Sequence, residues 1–452
     1  MISEATARAI GEADVDDDGR PREPLTQLGV ATLLAAELQD YILWRDDIKR
    51  WYSLDSGSGI WRPAPTETAV QEEVDEILLR LARRRHQTDA FSAAVTRALS
   101  RRLARPGGDF DGDPWLLGAQ NGVIELQTSY LRPASPDKYI TRQCPVSYDD
   151  EAPCPLWESH LYRLFEEDEE RVGWFQQAVG CSLVGRADLK DQIFVYLIGP
   201  GGNGKGTTMR TLISVFGQDQ YAANINPNDL SRDRHLAWMH RLKGTRLAVV
   251  EEVRNSRLDV SKLKSLTGAD TIVANRMRQE DETWAPTHTL FMTANHAPIL
   301  DDTSGMERRY RPIQTGPSIE ASEIDPRYEA AIRSELPGIL AWAVRGCLLW
   351  QRNGCQLAQL DVSRLLAEEH LQDNDPFLEW GEECVSAEED GWVTRQQVIA
   401  NYNWWAASRS LPNLSATGQR QLYEWLRLFG AQDVRRASGR GFTGLALTGG
   451  TC

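Results

Sequence analysis

The chain has 452 residues, 41% of them hydrophobic and 25% charged, with a formal net charge of −15. That is the composition of a soluble globular protein of roughly two to four compact units. No run reaches the ~20 apolar residues that span a bilayer, and seven dispersed cysteines with no C-x-x-C pair argue against a disulfide framework or zinc site.

Residues 1–24 show no basic start followed by an apolar stretch, and the acidic run Asp14 to Glu23 reads as a disordered leader. From 25 to about 105 the repeats of LGVATLLAAELQDYIL and TAVQEEVDEILLRLARRR have helical spacing, with WYSLDSGSGIWRP between them as a hairpin. After Pro106-Gly107-Gly108, WLLGAQNGVIELQTSYLRP alternates short β-prone runs with turns and is expected to form a small β element. Helical patterning returns from Cys154 to Gly185. Strand-like runs at 194–198, 246–250 and 289–293, separated by polar and helical stretches, then predict an α/β sheet with crossover helices.

Within that sheet, FVYLI runs into Gly199-Pro200-Gly201-Gly202-Asn203-Gly204-Lys205-Gly206-Thr207-Thr208 and on into the helical MRTLISVF. Strand, glycine loop and helix are the context that a G-x-x-x-x-G-K phosphate cradle requires. Residues 199–208 are expected to wrap backbone N–H groups around ATP phosphates while Lys205 reaches the β and γ phosphates. Gly206 stands where Ser or Thr usually holds Mg²⁺, so the hydroxyl is assigned to Thr207, as in nucleotide kinases with a G-K-G-T sequence.

Downstream, LAVVEE ends an apolar run in two acids. Glu251 is expected to hold Mg²⁺ and Glu252 to polarise the attacking water. The run LFMTA ends in Asn295, whose amide can bond the γ-phosphate and the lytic water. Gly305-Met306-Glu307-Arg308-Arg309-Tyr310-Arg311 offers a finger arginine for a neighbouring subunit's ATP, with Arg309 first and Arg308 second. A solvated basic loop and ordinary strand-end acids are the competing readings of these segments taken singly.

After about 350 the pattern is helical again. It closes with RQLYEWLRLFG and two short β-prone runs around an Arg-Gly turn, the pattern of a winged helix-turn-helix. The acidic total is awkward for a nucleic-acid partner, but residues 391–452 carry seven arginines against two acids (7 − 2 = +5).

The succession GPGGNGKGTT, LAVVEEV, LKSLTGADTIVANRMRQEDETWAPTHTLFMTANHAPIL and GMERRYRPI, in this order across 192–313, resembles the superfamily 3 helicases of the phage and plasmid primase-helicase family, relatives of poxvirus primase-helicases. The resemblance implies an α/β, AAA+-like P-loop core over 159–345. It also implies a mostly helical accessory and oligomerisation domain over 25–158 and a winged helix over 360–452. It further implies a homo-hexamer threading single-stranded or forked DNA with 3′ to 5′ polarity, driven by ATP and Mg²⁺. A hairpin over Thr271 to Ala285 would grip the strand, with Lys264, Arg276 and Arg278 as DNA contacts. With only a short leader ahead of the accessory domain, priming is expected from a separate primase or polymerase. No membrane association is expected, and the setting is the cytoplasm of a bacterial host carrying a phage or mobile element. Two other classes compete. A nucleotide kinase would need an arginine-rich lid on a compact chain, and a non-catalytic origin-binding initiator would not need Lys205, Glu251 and Glu252 intact.

Overall fold

Thr26 starts the first described helix, α1 (Gln27–Leu38), by accepting a hydrogen bond from the Gly29 amide at 3.2 Å. The helix stops at Leu38 instead of continuing through the apolar Tyr41–Leu43 segment, because Ile42–Arg45 forms β1 with Ile42 and Leu43 buried. Tertiary pairing overrides helical spacing here. The expected hairpin follows as β2 (Arg50–Asp55) and β3 (Ile60–Pro63), antiparallel, with Leu54 opposite Trp61. After α2 (Ala69–Leu81) and α3 (Asp89–Arg102), β4 (Ala104–Arg105) adds in parallel to β1, giving the order β3-β2-β1-β4. The expected small β element is an antiparallel meander, β5 (Leu116–Ala119), β6 (Gly122–Glu125) and β7 (Tyr130–Arg132). The structure, a computed structural model, describes residues 3, 6, 10, 26–66, 68–81, 88–107, 110–231, 236–253, 257–274, 282–300, 303–373, 376–409, 411, 413–414, 416–436 and 439–448.

Two helices lead into the central sheet: α4 (Pro155–Leu164), with proline in its first turn, and α5 (Glu169–Ser182). Asp168 caps α5 by accepting from the Arg171 amide at 3.0 Å, and Glu169 and Glu170 complement the helix dipole. The sheet then forms from β8 (Phe194–Ile198), α6 (Lys205–Phe216), β9 (Ala222–Asn224), β10 (Leu247–Val253), β11 (Arg257–Leu258), α7 (Val260–Thr267), β12 (Ile272–Ala274), β13 (Glu282–Trp284), β14 (Thr289–Ala294), β15 (Ile299–Leu300) and β16 (Tyr310–Gln314).

Five of these strands pair in the order β16-β8-β14-β10-β9, all parallel. A parallel sheet has both faces covered, so its inner strands read as unbroken apolar runs, and every residue of β8 and β14 is buried. Alternate residues serve opposite faces. Val195, Leu197, Val249, Phe291 and Ile313 pack with Phe175 of α5 and Val215 of α6, whereas Phe194, Tyr196, Val250, Leu290 and Met292 pack with Leu263 and Leu266 of α7. β16 was not foreseen, since Arg311 and Pro312 break the apolar pattern. An outer strand tolerates proline because one side of its backbone needs no ladder bond.

The chain continues as α8 (Tyr328–Arg333) and α9 (Leu336–Arg352). α9 lies hard against α5: a Cβ at Gly180 would sit 2.1 Å from the Cys347 amide nitrogen, and one at Gly346 2.2 Å from the Gln176 carbonyl oxygen. Either alanine substitution would have to push the two helices apart. Last come α10 (Asp361–Asp373), α11 (Pro376–Cys384), β17 (Val385–Thr394), α12 (Arg395–Ser408), α13 (Ala416–Leu428), β18 (Gln432–Arg436) and β19 (Gly439–Leu447). The three strands form an antiparallel sheet, β17-β19-β18, over a core with Trp380, Trp405 and Phe442 fully buried. A Thr394–Gln397 capping box starts α12. Among the described residues no helix is long and apolar enough to cross a membrane.

Candidate nucleotide site

Parallel strands carry their functional residues at their carboxyl ends, and there the loop 199–204 joins β8 to α6. Gly202 and Gly204 have φ of 73° and 102°, a region that a side chain makes costly, and Gly204 is the N-cap of the 12-residue α6. A Cβ on Gly204 would also meet the His160 ring at 2.8 Å. The loop is braced from β16 and beyond. Asn203 is buried and donates its side-chain amide to Thr315 Oγ1 and to the Gly316 carbonyl, both at 2.8 Å. Ser318 Oγ donates to the Gly201 carbonyl at 2.6 Å.

Lys205 is folded onto its own loop. Its Nζ donates to the carbonyls of Gly199 and Pro200 at 2.8 Å and to Asn203 Oδ1 at 3.0 Å. These acceptors are neutral, and burial pushes the ammonium pKa down to about 8. An anionic ligand supplies a stronger, charge-assisted partner than any of the three.

One cleft of about 630 Å³ is lined by residues 201–207, Arg210, Glu251, Glu252, Thr293, Asn295 and His296. The cradle, both carboxylates and the amide expected from sequence therefore meet. Asn295 Nδ2 lies 3.7 Å from where a Gly201 Cβ would be. Glu251 and Glu252 also line an adjoining cavity with Asn224, Asn226 and Arg241, so the acids sit between two open spaces.

The acids are expected at the end of the strand that begins at Arg246, and they lie there, in the last three residues of β10, where its register with β14 shifts between Val250 and Val253. Glu252 adopts φ of 54°, and its amide donates to Thr293 Oγ1 at 3.2 Å. Such a bulge re-aims a side chain at a backbone cost of about 1–3 kcal/mol. Glu251 has its carboxyl pKa raised by burial, an effect opposed by the Arg210 guanidinium and reinforced by Glu252 and Glu329.

The two threonines part company. Thr207 lines the cleft, and its hydroxyl donates to Glu329 Oε1 at 3.2 Å. Thr208 is fully buried, donates to the Gly204 carbonyl at 3.1 Å and shares a 2.9 Å hydrogen bond with His160 Nε2. Burial pushes the His160 pKa down to about 4, so the ring is neutral and braces the cradle from α4. The residues suit a Mg²⁺-nucleotide: an open cradle, a lysine on replaceable acceptors, and carboxylates with a cleft-facing hydroxyl on the metal's side. His160, Arg210, Thr293, Thr315 and Glu329 were not foreseen.

The arginine turn lies apart from this cleft. Arg309 donates from Nη1 to Thr267 Oγ1 at 3.1 Å, while its Nε is buried without a partner among the described residues. Arg308 is exposed. Lys264 points its ammonium at Ser304 Oγ, 3.4 Å away, toward the same turn. The expected hairpin exists as antiparallel β12 and β13, with Ile272 opposite Trp284. Arg276 and Arg278 lie outside the described residues.

A family model described as "D5 N terminal like" matches residues 31–166, and a family of unknown function, DUF5906, matches 197–309. The provisionally named primase C962R of African swine fever virus is 29% identical over 214 residues, 44% of this chain and 22% of that protein. Two provisionally named helicases also match: 121R of Invertebrate iridescent virus 3, 24% identical over 206 residues, and L207/L206 of Acanthamoeba polyphaga mimivirus, 25% identical over 215. Together these matches support a D5-like primase-helicase relationship. The chain spans under a quarter of the length of these relatives, 22% in each case. The NrS-1 C-terminal region shares the fold, with a TM-score of 0.52 over 93% of this chain and 99% of that one at 13% identity.

Proposed function

We propose that the chain is an ATP-hydrolysing DNA helicase subunit of the superfamily 3 kind, working in phage, prophage or plasmid replication as a ring that moves 3′ to 5′. The observation that carries this is the convergence of Lys205, Glu251, Glu252 and Asn295 on one cleft at the strands' carboxyl ends. The helicase and primase names of the viral relatives agree with it.

In this reading the triphosphate draws Lys205 off its carbonyls, and the amides of 201–205 close on the phosphate oxygens. Glu251 and Thr207 would hold Mg²⁺, which would supply neutralisation of phosphate charge. Glu252 orients the attacking water and accepts its proton, and Asn295 bonds the γ-phosphate, so its loss is felt along β14. A neighbouring subunit supplies an arginine. Arg309 comes first by position, but its bond to Thr267 reverses that order, and exposed Arg308 takes the role while Arg309 anchors the turn. DNA is held by the β12–β13 connection with Arg276 and Arg278, while 360–452 serves as a winged helix on duplex DNA. The helix, strand, helix, helix, strand, strand order from α11 to β19 supports that last assignment.

The test is ATP hydrolysis with and without single-stranded DNA, together with unwinding of a forked duplex. DNA-stimulated hydrolysis that falls to background in Lys205→Ala is expected. Hydrolysis at the parental rate in Lys205→Ala would overturn the assignment.

A further inference from the structure

The position after the cradle lysine is Gly206, and its missing side chain leaves room that another group uses. A Cβ at Gly206 would lie 2.8 Å from Arg210 Nη1. Arg210 stands three and four residues beyond Thr207 and Gly206, on the same face of α6. Its guanidinium lines the nucleotide cleft and meets three groups. Nη1 is 3.8 Å from Glu251 Oε2, Nη2 is 3.3 Å from Thr207 Oγ1, and Nη2 forms a short ion pair with Glu329 Oε1 of α8. The same carboxylate oxygen of Glu329 accepts from Thr207. Both groups assigned to Mg²⁺, Glu251 and Thr207, thus contact one guanidinium.

We propose that Arg210 is a built-in cation on the metal's side of the cleft, competing with Mg²⁺ for Glu251 and Thr207, with Glu329 as the carboxylate that already holds it and draws it away from Glu251. This rests on the nucleotide-site reading above. Gly206 and Arg210 are then neighbours in space, since a side chain at 206 would occupy the place of the guanidinium tip and make it shift. The competition is direct: a divalent cation at Glu251 cannot share the carboxylate oxygen with a guanidinium at 3.8 Å without repulsion. Glu329 is suited to hold that charge, because its Oε1 already pairs with Arg210 and accepts from Thr207. Its neighbour Tyr328 places its hydroxyl 3.4 Å from His160 Nδ1, and His160 bonds Thr208.

The experiment is a Mg²⁺ titration of the binding of a fluorescent, non-hydrolysable ATP analogue to the full chain, followed as the Mg²⁺ concentration at half-effect. Removing the competitor in Arg210→Ala should lower that concentration about fivefold, the scale of a partly exposed ion pair. Arg210→Lys should keep it near the parental value. Glu329→Gln, which leaves Arg210 leaning on Glu251, should raise it. The opposite directions of the two changes keep the idea testable even if Arg210→Ala does not fold. An unchanged or raised value in Arg210→Ala, or an unchanged or lowered value in Glu329→Gln, overturns the proposal. If the parental chain binds no nucleotide, or Lys205→Ala binds as well as the parent, the nucleotide-site reading has failed and this inference falls with it. Lys205-dependent binding with no shift in Mg²⁺ demand removes the inference alone.

Discussion

The nucleotide cleft and the arginine turn, both at the ends of the same sheet, differ in how complete they are within one chain. Around Lys205 the features that suit a phosphate lie close together in one chain: the left-handed glycines, the start of α6 and an ammonium resting on neutral carbonyls. At the turn, Arg309 is spent on Thr267 of its own chain and Arg308 faces outward with no ion pair among the described residues. A binding site can be finished by one subunit's backbone, whereas a finger is defined by what it reaches in another.

The largest effect expected from this contrast is in turnover. Arg308→Ala should lower DNA-stimulated ATP hydrolysis by about 10³-fold with nucleotide binding kept, the scale of lost finger arginines. Mixing it with Lys205→Ala protein should restore part of the activity, because each supplies what the other lacks across a subunit boundary. Arg309→Ala should cost less turnover and instead lower the melting temperature. The contrast breaks if the two substitutions exchange these phenotypes, or if mixing rescues nothing.

A smaller effect follows from the Lys205 ammonium, whose pKa of about 8 in the free cleft lies below its ordinary 10.5. A bound triphosphate stabilises the charged form and raises that value. Below pH 8 the lysine is already protonated and nucleotide affinity is flat on its account. Above pH 8 binding must take up a proton, so affinity should fall roughly tenfold per pH unit until the bound-state value is reached. Nucleotide titrations at pH 7, 8 and 9 read this directly, and equal affinities at all three would show that the lysine does not change partners.

The same division between local and distant explains what was legible in the sequence. The cradle, β8, β14 with Asn295 at its end, and the β12–β13 hairpin follow from adjacent residues: glycine spacing, apolar runs of strand length, and a polar turn between β-prone segments. β16 was hidden by Arg311 and Pro312, which only an edge strand tolerates, and β1 by an apolar run that continued the helical spacing of α1. The bulge that carries Glu251 and Glu252 leaves no local trace, because it is set by pairing with β14. Arg210 and Glu329 are 119 positions apart, and neither belongs to a motif. His160 likewise reaches Thr208 from 48 positions away. Such partners emerge only when α4, α6 and α8 have packed.

The central claim is that strands β8, β10 and β14 gather their residues around one triphosphate. Its most direct test is an experimental structure of the chain with Mg²⁺ and a non-hydrolysable ATP analogue. Lys205 Nζ should have moved from the Gly199 and Pro200 carbonyls to phosphate oxygens, with Glu251, Glu252 and Asn295 around the γ-phosphate. A nucleotide bound elsewhere, with Lys205 still on those carbonyls, would contradict it.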